Sequence, residues 1–339
     1  MTPTSPPHPP VRWALIGASD IAATRVIPAL RQVGHQAVVV LSSNPDRASS
    51  YAVRHGIGRG TDSLADALAD EVDAVYVSTT NDLHAEQVAA AVAAGKHVLC
   101  EKPLALTLAD AAAMVAAAEQ AAAVLATNHH LRQSPVLRAI RELVSNGALG
   151  DLLAVRVGHA GLLPERLRGW RLQDVPGAGV VLDLVVHDAD TVRFVTGREI
   201  LEVTSAGVTQ GAGSAALDAV VTAGVLAGGV SLQLHDAFTV PHAGQWFEVH
   251  GTEGSAVADR AMTQDPDGDV VLRRSGSDDE PVPVGPRRDL YEGTLLAFAA
   301  AVAGDGEPSA SGRDGVASLA VALSVAESLA TGRRVSVPR

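Results

Sequence analysis

The sequence predicts an α/β protein with two domains, the first a doubly wound parallel sheet and the second an α/β domain with a large, mainly antiparallel open sheet. Three observations carry this prediction. Short apolar runs alternate with helical patterns from residue 11 to about residue 126. A glycine-containing turn joins the first run directly to the first helix. From residue 152 onward, strand patterns follow one another through glycine-rich turns, which is typical of antiparallel sheets.

The first domain is predicted from its alternation of strands and single helices. We expect strands at 11–16, 37–41, 73–77, 97–100 and 124–126. We expect a helix that ends at residue 30, and further helices at 46–55, 64–69, 85–94 and 108–122. Strands that are separated by single helices indicate right-handed crossovers, and therefore a parallel sheet with helices on both faces.

The second domain is predicted from a change in this pattern. We expect helices at 135–145, 179–195, 290–303 and 315–330. We expect strands at 152–159, 203–208, 216–225, 230–237, 245–250, 255–258 and 270–273. The boundary falls between residues 128 and 135. The predicted division is a disordered, proline-rich tail at 1–10, a first domain at 11–128 and a second domain at 129–332.

The composition excludes several classes of function. The chain of 339 residues has 26 basic and 38 acidic side chains, a net charge of −12, and 3% aromatic residues. It therefore lacks the clustered cations and the stacking platforms that nucleic-acid binding needs. The single cysteine, Cys100, excludes an internal disulfide and a multi-cysteine zinc site. No apolar run reaches the ~18–20 residues of a membrane helix, and the N-terminus lacks a secretory pattern, so we expect no membrane partner and a cytoplasmic location.

The turn after the first strand is the first candidate site. The stretch from Gly17 to Ala22 reads G-A-S-D-I-A, with Ser19 where a dinucleotide-binding fingerprint has its second glycine. Taken alone, such a turn is more often only a turn. At the start of a long βα alternation it favours a Rossmann domain, in which backbone N–H groups and a helix N-terminus hold a pyrophosphate.

The end of the second strand indicates which dinucleotide is bound. An NAD site usually has a carboxylate there, which accepts from the ribose 2′-hydroxyl. This chain has Ser42 and Ser43, followed by Arg47, and hydroxyls with a guanidinium suit a 2′-phosphate. We therefore expect NADP(H) in preference to NAD(H). The alternative is a helix-capping loop with a solvated Arg47.

Polar residues also follow the third and fourth strands, at the edge of a parallel sheet where ligands bind. After the third strand come Thr79, Thr80, Asn81, Asp82, Leu83 and His84. After the fourth strand come Glu101, Lys102 and Pro103. Lys102 could donate a hydrogen bond to a substrate oxygen, and the alternative is an exposed ion pair worth ~0–1 kcal/mol. Function is favoured because Lys102 is one of only two lysines.

A second candidate site lies on the predicted helix at 179–195. Asp183 and His187 are four residues apart and share one face of a helix that is otherwise apolar. His187 could transfer a proton near neutral pH while Asp183 polarises or orients the titrating group. A buried hydrogen bond is one alternative. A metal site that also uses His129 and His130 is another, but nothing else supports it and we expect no metal.

These motifs together resemble a known family. The Gly17–Ala22 turn, the Glu101-Lys102-Pro103 triplet and Asp183 with His187 after a glycine-rich lead-in at 177–179 are similar to those of the glucose–fructose oxidoreductase / inositol dehydrogenase family of sugar oxidoreductases. The resemblance runs from Trp13 to about Gly332. It implies a Rossmann domain followed by an α/β domain with an open sheet, and a small sugar as the substrate.

The resemblance also implies roles for particular residues. It implies an NADPH-dependent reduction of a cyclic keto-sugar in which Lys102, Asp183 and His187 are catalytic. The cofactor contacts that it implies, together with Gly17 of the turn, are Ser19, Ile21, Ser42, Ser43, Arg47, Thr79, Thr80, Asn81, Asp82, Leu83, His84, Glu101, Lys102, Asn128, Trp170, Arg171 and Tyr291. Two alternatives stay open, an NAD(P)-dependent inositol or polyol dehydrogenase and a non-catalytic NADP-binding regulator. Family members range from monomers to tetramers, and a polar open sheet face would favour a monomer.

Overall fold

The computed structural model describes residues 9–211 and 213–339, and these residues form two compact units. The first unit comprises the described residues up to 130 together with 291–316. The second unit comprises the described residues of 131–290 together with 317–339. Most of the predicted tail at 1–10 lies outside the described residues.

A six-stranded, wholly parallel sheet forms the centre of the first unit, in the order β3-β2-β1-β4-β5-β6. Its strands are β1 Arg12–Ile16, β2 Gln36–Leu41, β3 Arg59–Thr61, β4 Ala74–Val77, β5 His97–Cys100 and β6 Leu125–Thr127. The α-helices of its N-terminal segment are α1 Ile27–Gln32, α2 Pro45–His55, α3 Leu64–Ala67, α4 His84–Ala93 and α5 Leu108–Gln120. A π-helical turn at Ala22–Val26 precedes α1. The strand order reverses between β1 and β4, and ligands of such sheets bind at that point of reversal.

Apolar side chains on both faces of this parallel sheet form the core of the first unit. Strand β4 is buried along its whole length, as expected for a strand with helices on both sides. Trp13 of β1 is fully buried, and its ring centroid lies 4.9 Å from that of Phe298. Burial of two such side chains contributes several kcal/mol to the stability of this unit, at roughly 1.5–3 kcal/mol for a large apolar side chain.

A nine-stranded, mainly antiparallel sheet forms the second unit, in the order β14-β13-β12-β11-β7-β10-β9-β8-β15. Its strands are β7 Leu152–Ala160, β8 Ile200–Val208, β9 Ala219–Leu226, β10 Val230–Ala237, β11 Gln245–Gly251, β12 Ser255–Asp259, β13 Asp269–Arg273, β14 Glu280–Val282 and β15 Val335–Ser336. Helix α6 Pro135–Ser145 and helix α7 Val186–Thr196 contribute to its core, and a π-helical turn at Val181–Val185 leads into α7. The central pair β7 and β10 is parallel.

One face of this sheet is open. Thr204, Val221, Ser231 and Gln233 are exposed on the strands β8, β9 and β10, whose other face is buried. Val221 is 52% exposed, so this face carries apolar as well as polar side chains.

The remaining helices are α8 Leu290–Val302 and α9 Gly312–Thr331. Helix α9 is long and apolar enough, by length and composition alone, to cross a membrane. Val321, Ala322 and Val325 of this helix are buried in the core of the second unit, so packing explains its apolar composition.

The predicted elements differ from the structure in identifiable ways. Strands β3, β14 and β15 were not predicted, because each has only two or three residues and no alternating apolar pattern. The predicted domains were continuous in sequence, at 11–128 and 129–332. In the structure the chain passes to the second unit after residue 130, and residues 291–316 pack with the first unit.

Candidate active site

The turn after β1 is packed closely against the end of β4. Gly17 has φ +111°, a conformation that side chains with a Cβ rarely adopt. A Cβ at this position would lie 3.0 Å from the carbonyl carbon of Ser78 and 3.1 Å from the amide nitrogen of Thr79. The Ser19 hydroxyl lies 2.8 Å from the Ser78 hydroxyl and accepts from the N–H of Ala22 at 3.2 Å. The turn therefore joins the two strands at the point where the strand order reverses.

The predicted 2′-phosphate residues lie beside the same turn. Asn44 caps helix α2 by accepting from the N–H of Arg47 at 2.9 Å. The guanidinium of Arg47 donates to the carbonyl oxygen of Ala18 at 2.7 Å and remains exposed. Ser42 is buried at the end of β2 and Ser43 is exposed. The helix-capping loop and a cation beside the glycine turn are thus both present.

Tyr51 of α2 is hydrogen-bonded to the turn after β1. Its hydroxyl donates to the carbonyl oxygen of Ser19 at 2.9 Å. Burial, with a contribution from the Asp20 charge, raises the pKa of Tyr51 to about 12. The hydroxyl therefore remains a hydrogen-bond donor at neutral pH.

His84, the first residue of α4, has a structural role. His84 is fully buried, and its Nδ1 lies 2.9 Å from the carbonyl oxygen of Pro103. Burial lowers the pKa of His84, so its ring is neutral near pH 7. Thr79 donates through its hydroxyl to Gln87 at 2.6 Å. His84 therefore connects the loops after β4 and β5, and it is enclosed by protein atoms.

Glu101 is the centre of a polar cluster at the end of β5. Its Oε1 accepts from the Tyr76 hydroxyl at 2.5 Å and from the Asn128 amide at 2.6 Å. Its Oε2 accepts from the backbone N–H of Lys102 at 3.3 Å. Burial raises the pKa of Tyr76 well above its usual range, and the Glu101 charge acts in the same direction. Three donors therefore fix the carboxylate next to Lys102.

Lys102 itself is half-buried at this sheet edge. The peptide bond between Lys102 and Pro103 is cis. Asn128 is fully buried, and its amide oxygen has no hydrogen-bond donor among the described residues. A buried acceptor of this kind fits an amide-bearing ligand at the end of β5 and β6.

The second unit carries the other two predicted catalytic residues. Asp183 lies in the π-helical turn and His187 in the first turn of α7, so a π-turn separates them. Such single-turn π-helices are frequent at functional sites. The Arg171 Nε donates to the Asp183 Oδ2 at 3.0 Å, and the Arg171 guanidinium lies 4.9 Å from the Trp170 ring centroid. This charge-assisted hydrogen bond orients the carboxylate.

Behind His187 lies a buried acidic cluster. The ring centroids of His187 and His159 are 6.0 Å apart. The Nδ1 of His159 lies 2.8 Å from the Asp188 Oδ1. Asp236 completes the cluster: one ring nitrogen of His159 and one carboxylate oxygen of each aspartate all lie within 4.8 Å of one another. Burial raises the pKa of both carboxyl groups well above their usual range.

The predicted site residues divide between the two units. The first unit contains Gly17, Ser19, Ile21, Ser42, Ser43, Arg47, Thr79, Thr80, Asn81, Asp82, Leu83, His84, Glu101, Lys102, Asn128 and Tyr291. The second contains Trp170, Arg171, Asp183 and His187. Direct hydrogen bonds join Glu101 to Asn128 and Arg171 to Asp183.

Sequence reasoning missed Tyr76, His159, Asp188 and Asp236 as parts of these clusters. Tyr76 and Asp236 lie within strands, where alternation predicts only burial. A buried acidic residue in a strand is itself unusual, and Asp236 is the one signal that the sequence offered.

Four observations show that a nicotinamide dinucleotide fits the first unit. The strand order reverses between β1 and β4, the Gly17 turn occupies that position, and a cation lies beside the turn. The buried amide oxygen of Asn128 supplies an acceptor at the far end of the same strand edge. These residues can bind a pyrophosphate and an amide-bearing ring.

Two family models match the chain. The first, described as an oxidoreductase family with an NAD-binding Rossmann fold, matches residues 11–129. The second, described as the GFO/IDH/MocA C-terminal domain, matches residues 137–257.

Individual relatives support the same assignment. A 1,5-anhydro-D-fructose reductase of Ensifer adhaerens is 48% identical over 329 residues, which are 96% of this chain and 98% of the relative. A myo-inositol 2-dehydrogenase of Thermotoga maritima is 30% identical over 86% of this chain and 88% of its own length. Among solved structures, an aldose-aldose oxidoreductase of Caulobacter crescentus is 25% identical with a TM-score of 0.88, over 97% of this chain and 100% of that one.

Proposed function

Since this chain belongs to the GFO/IDH/MocA family of NAD(P)-dependent oxidoreductases, we propose that it reduces the C2 ketone of 1,5-anhydro-D-fructose to 1,5-anhydro-D-mannitol with NADPH. The single observation that carries this proposal is the similarity, along nearly the whole chain, to the Ensifer adhaerens reductase. The chain is an oxidoreductase that acts on a sugar; the keto-sugar and the phosphorylated cofactor are the proposed refinements.

The proposed roles follow from the chemistry of the side chains. Bound NADPH supplies the hydride that adds to the carbonyl carbon. His187 gives a proton to the oxygen that becomes negative as the hydride arrives. The Lys102 ammonium donates a hydrogen bond to the same oxygen or to a neighbouring hydroxyl. Asp183, oriented by Arg171, accepts from a sugar hydroxyl and supports the proton transfer.

The two proposed catalytic groups can be tested in matched variants. We expect His187→Ala to lower kcat by about 10²–10⁴-fold, the usual contribution of a positioned general acid. We expect Lys102→Met, which keeps the aliphatic stem, to lower kcat by about 10²–10³-fold. His242→Ala, on an exposed loop, is the control. The assay follows NADPH oxidation with the anhydro-ketose, and an unchanged kcat in both variants would contradict the assigned roles.

The cofactor preference depends on Arg47. Its exposed guanidinium beside the glycine turn supports binding of a 2′-phosphate, because a planar guanidinium forms paired hydrogen bonds to phosphate oxygens. We expect Arg47→Ala to lower the ratio of kcat/KM for NADPH over NADH by roughly tenfold or more, the loss of one charge-assisted contact. Arg54→Ala, exposed on the same helix, is the control. A ratio that does not change, or that already favours NADH in the unaltered protein, would contradict the preference.

A second candidate is oxidation of a cyclic polyol, which the similarity to a myo-inositol 2-dehydrogenase favours. Panels of ketoses with NADPH or NADH, and of polyols with the oxidised cofactors, separate the two. A kcat/KM that is highest for a polyol with NAD would replace the proposed reductase with this dehydrogenase.

A further inference from the structure

The buried cluster behind His187 is built by the alternation of two neighbouring strands. His159 of β7 and Asp236 of β10 are paired in register across the parallel strands, so their side chains lie on the same face. That face is the buried one, because Val155 and Val157 precede His159 and Leu232 and Leu234 precede Asp236 in the core. Helix α7 delivers Asp188 to the same position. Two fully buried carboxyl groups and an imidazole therefore meet in one small region.

The hydrogen bonds of this cluster are incomplete unless a proton lies between the two carboxyl groups. Asp188 Oδ1 is bonded to His159, but Asp188 Oδ2 and both oxygens of Asp236 have no donor among the described residues. Two ionised carboxylates can only accept, so neither can satisfy the other. Protonation of one of them supplies the missing donor. Burial raises the pKa of both carboxyl groups. The charge of Asp188 raises the pKa of Asp236 further, whereas the hydrogen bond with Asp236 lowers the pKa of Asp188, so Asp236 is the group that holds the proton.

Charge balance and hydrogen bonding together favour one arrangement. An uncompensated buried charge is costly, so the cluster should be close to neutral. A protonated Asp236, an ionised Asp188 and a cationic His159 sum to zero and also place a donor against both oxygens of Asp188. The short contact between His159 and Asp188, 2.8 Å, suits a direct hydrogen bond between an imidazolium and a carboxylate.

We propose that Asp236 is a neutral acid that donates a hydrogen bond to Asp188, and that this acid pair keeps His159 cationic beside His187. The three side chains are positioning residues for His187, and this part of the inference rests on the proposed function. A cation whose ring centroid is 6.0 Å away makes His187 a stronger acid, which favours proton transfer to the reduced oxygen. The titratable groups near His159 include Asp188 and His187 on α7 and Asp236 on β10; the next acidic residue of the helix, Asp190, is bonded to Arg132.

The proton on Asp236 can be observed without any substrate. Infrared difference spectra of the resting protein, with carbon-13 aspartate, should contain the carbonyl band of a protonated carboxylic acid near neutral pH, shifted in heavy water. The band should be absent in Asp236→Asn, whose amide keeps a donor toward Asp188, and present in the control Asp190→Asn. No band in the unaltered protein, or a band that persists in Asp236→Asn, would overturn the proposal. So would a stoichiometric divalent cation that the protein retains and Asp236→Asn loses.

The effect on His187 appears in the pH profile. Activity of the reduction should fall as pH rises through the pKa of His187, because the protonated ring is the acid. In Asp188→Asn, His159 loses its counter-charge and becomes neutral, so this fall should move to higher pH. The shift should be smaller than the roughly half a unit to two units that a single charge at 6.0 Å gives with a dielectric of about 20–80, because loss of the Asp188 carboxylate acts in the opposite direction. Asp236→Asn should keep the original profile.

Asp236→Ala removes the donor, so its pH profile should resemble that of Asp188→Asn. The original profile in Asp236→Asn, which keeps a donor, would distinguish a positioning role of Asp236 from a merely structural one. An unchanged profile in Asp188→Asn would overturn the link to His187. The infrared result stands apart from the identity of the substrate, so failure of the proposed function would not be mistaken for failure of the acid pair.

Discussion

The hydroxyl of Tyr76 illustrates how a single residue fixes the chemistry of this sheet edge. It is buried and donates to Glu101, whose second oxygen accepts from the backbone N–H of Lys102. Through Glu101, Tyr76 thus stabilises the backbone conformation of Lys102 at the end of β5. The neutral hydroxyl and the acidic acceptor form a charge-assisted bond, which is about twice as strong as a neutral one.

Replacing Tyr76 with Phe removes only this hydroxyl. We expect the free energy of unfolding to fall by about 1.5–3 kcal/mol, because a buried bond to a charged group is lost. Tyr51→Phe loses a bond to the neutral carbonyl oxygen of Ser19, so its expected loss is smaller, about 0.5–1.5 kcal/mol. Urea unfolding of both variants measures the difference. Equal losses would mean that the Glu101 charge contributes nothing to the Tyr76 bond.

For single residues, the sequence predicts which side chains belong to the candidate site better than it predicts which side chains they contact. The position of Lys102 after an apolar strand, and of His187 four residues after Asp183, followed from spacing. The burial of His84 did not, because a histidine in a polar loop has the same sequence signature whether it meets a ligand or the Pro103 carbonyl. Two partners of Glu101, Tyr76 and Asn128, come from other segments of the chain, and such long-range contacts leave no local pattern.

Among the secondary-structure elements, the pair α2 and β3 is positioned by one glycine. A Cβ at Gly60 would overlap the backbone carbonyl of Ala48, so the strand and helix can approach only if residue 60 has no side chain. Helix α2 carries Arg47, and its position therefore depends on this approach. The three-residue strand was missed in the sequence because arginine, glycine and threonine form no apolar run.

Substitution of Gly60 tests this dependence. We expect Gly60→Ala to lower the free energy of unfolding by about 1–3 kcal/mol, the usual cost of overpacking. It should also raise the KM for NADPH, since α2 must move away from β3. Gly306→Ala is the control, because a Cβ there meets no atom within 4 Å. Wild-type stability in Gly60→Ala would show that the helix can shift without cost.

On the scale of the whole molecule, the two units differ in how protons affect them. Burial lowers the pKa of His35, His84 and His97 in the first unit. Their unfolded forms take up protons below the ordinary histidine pKa of about 6.5, so this contribution to stability is present above that pH and is lost as pH falls. In the second unit, the raised pKa of Asp188 and Asp236 has the opposite effect. Their contribution to stability is present below about pH 4 and is lost as pH rises through their folded-state pKa values.

Trp13 reports on the first unit in a variant that carries Trp170→Phe and Trp246→Phe. We expect its urea midpoint to fall between about pH 7.5 and about pH 5.5, because the unfolded histidines become protonated. Fluorescence of Trp13, which is fully buried in the core, follows the transition. A midpoint that rises over this interval would contradict the assigned direction.

The division of the chain was the part of the architecture that the sequence could not predict. Both sheets and most helix bounds followed from periodicity, because alternation and helical spacing are local. Residues 291–316 pack with the first unit through contacts such as that of Trp13 with Phe298, two residues that are 285 positions apart in the sequence. Apolar helices fit either core, and sequence pattern does not distinguish the two.

Because the chain has only two lysines, one side-chain amine can be labelled selectively. Lys96 is buried, and its ammonium donates to the carbonyl oxygens of Ala69 and Val72 at 3.0 Å and 2.8 Å. Acylation by an activated ester should therefore modify one side-chain amine, that of Lys102, besides any α-amine. Peptide mass mapping would count the labels, and a dye installed there would report occupancy of the proposed nucleotide site.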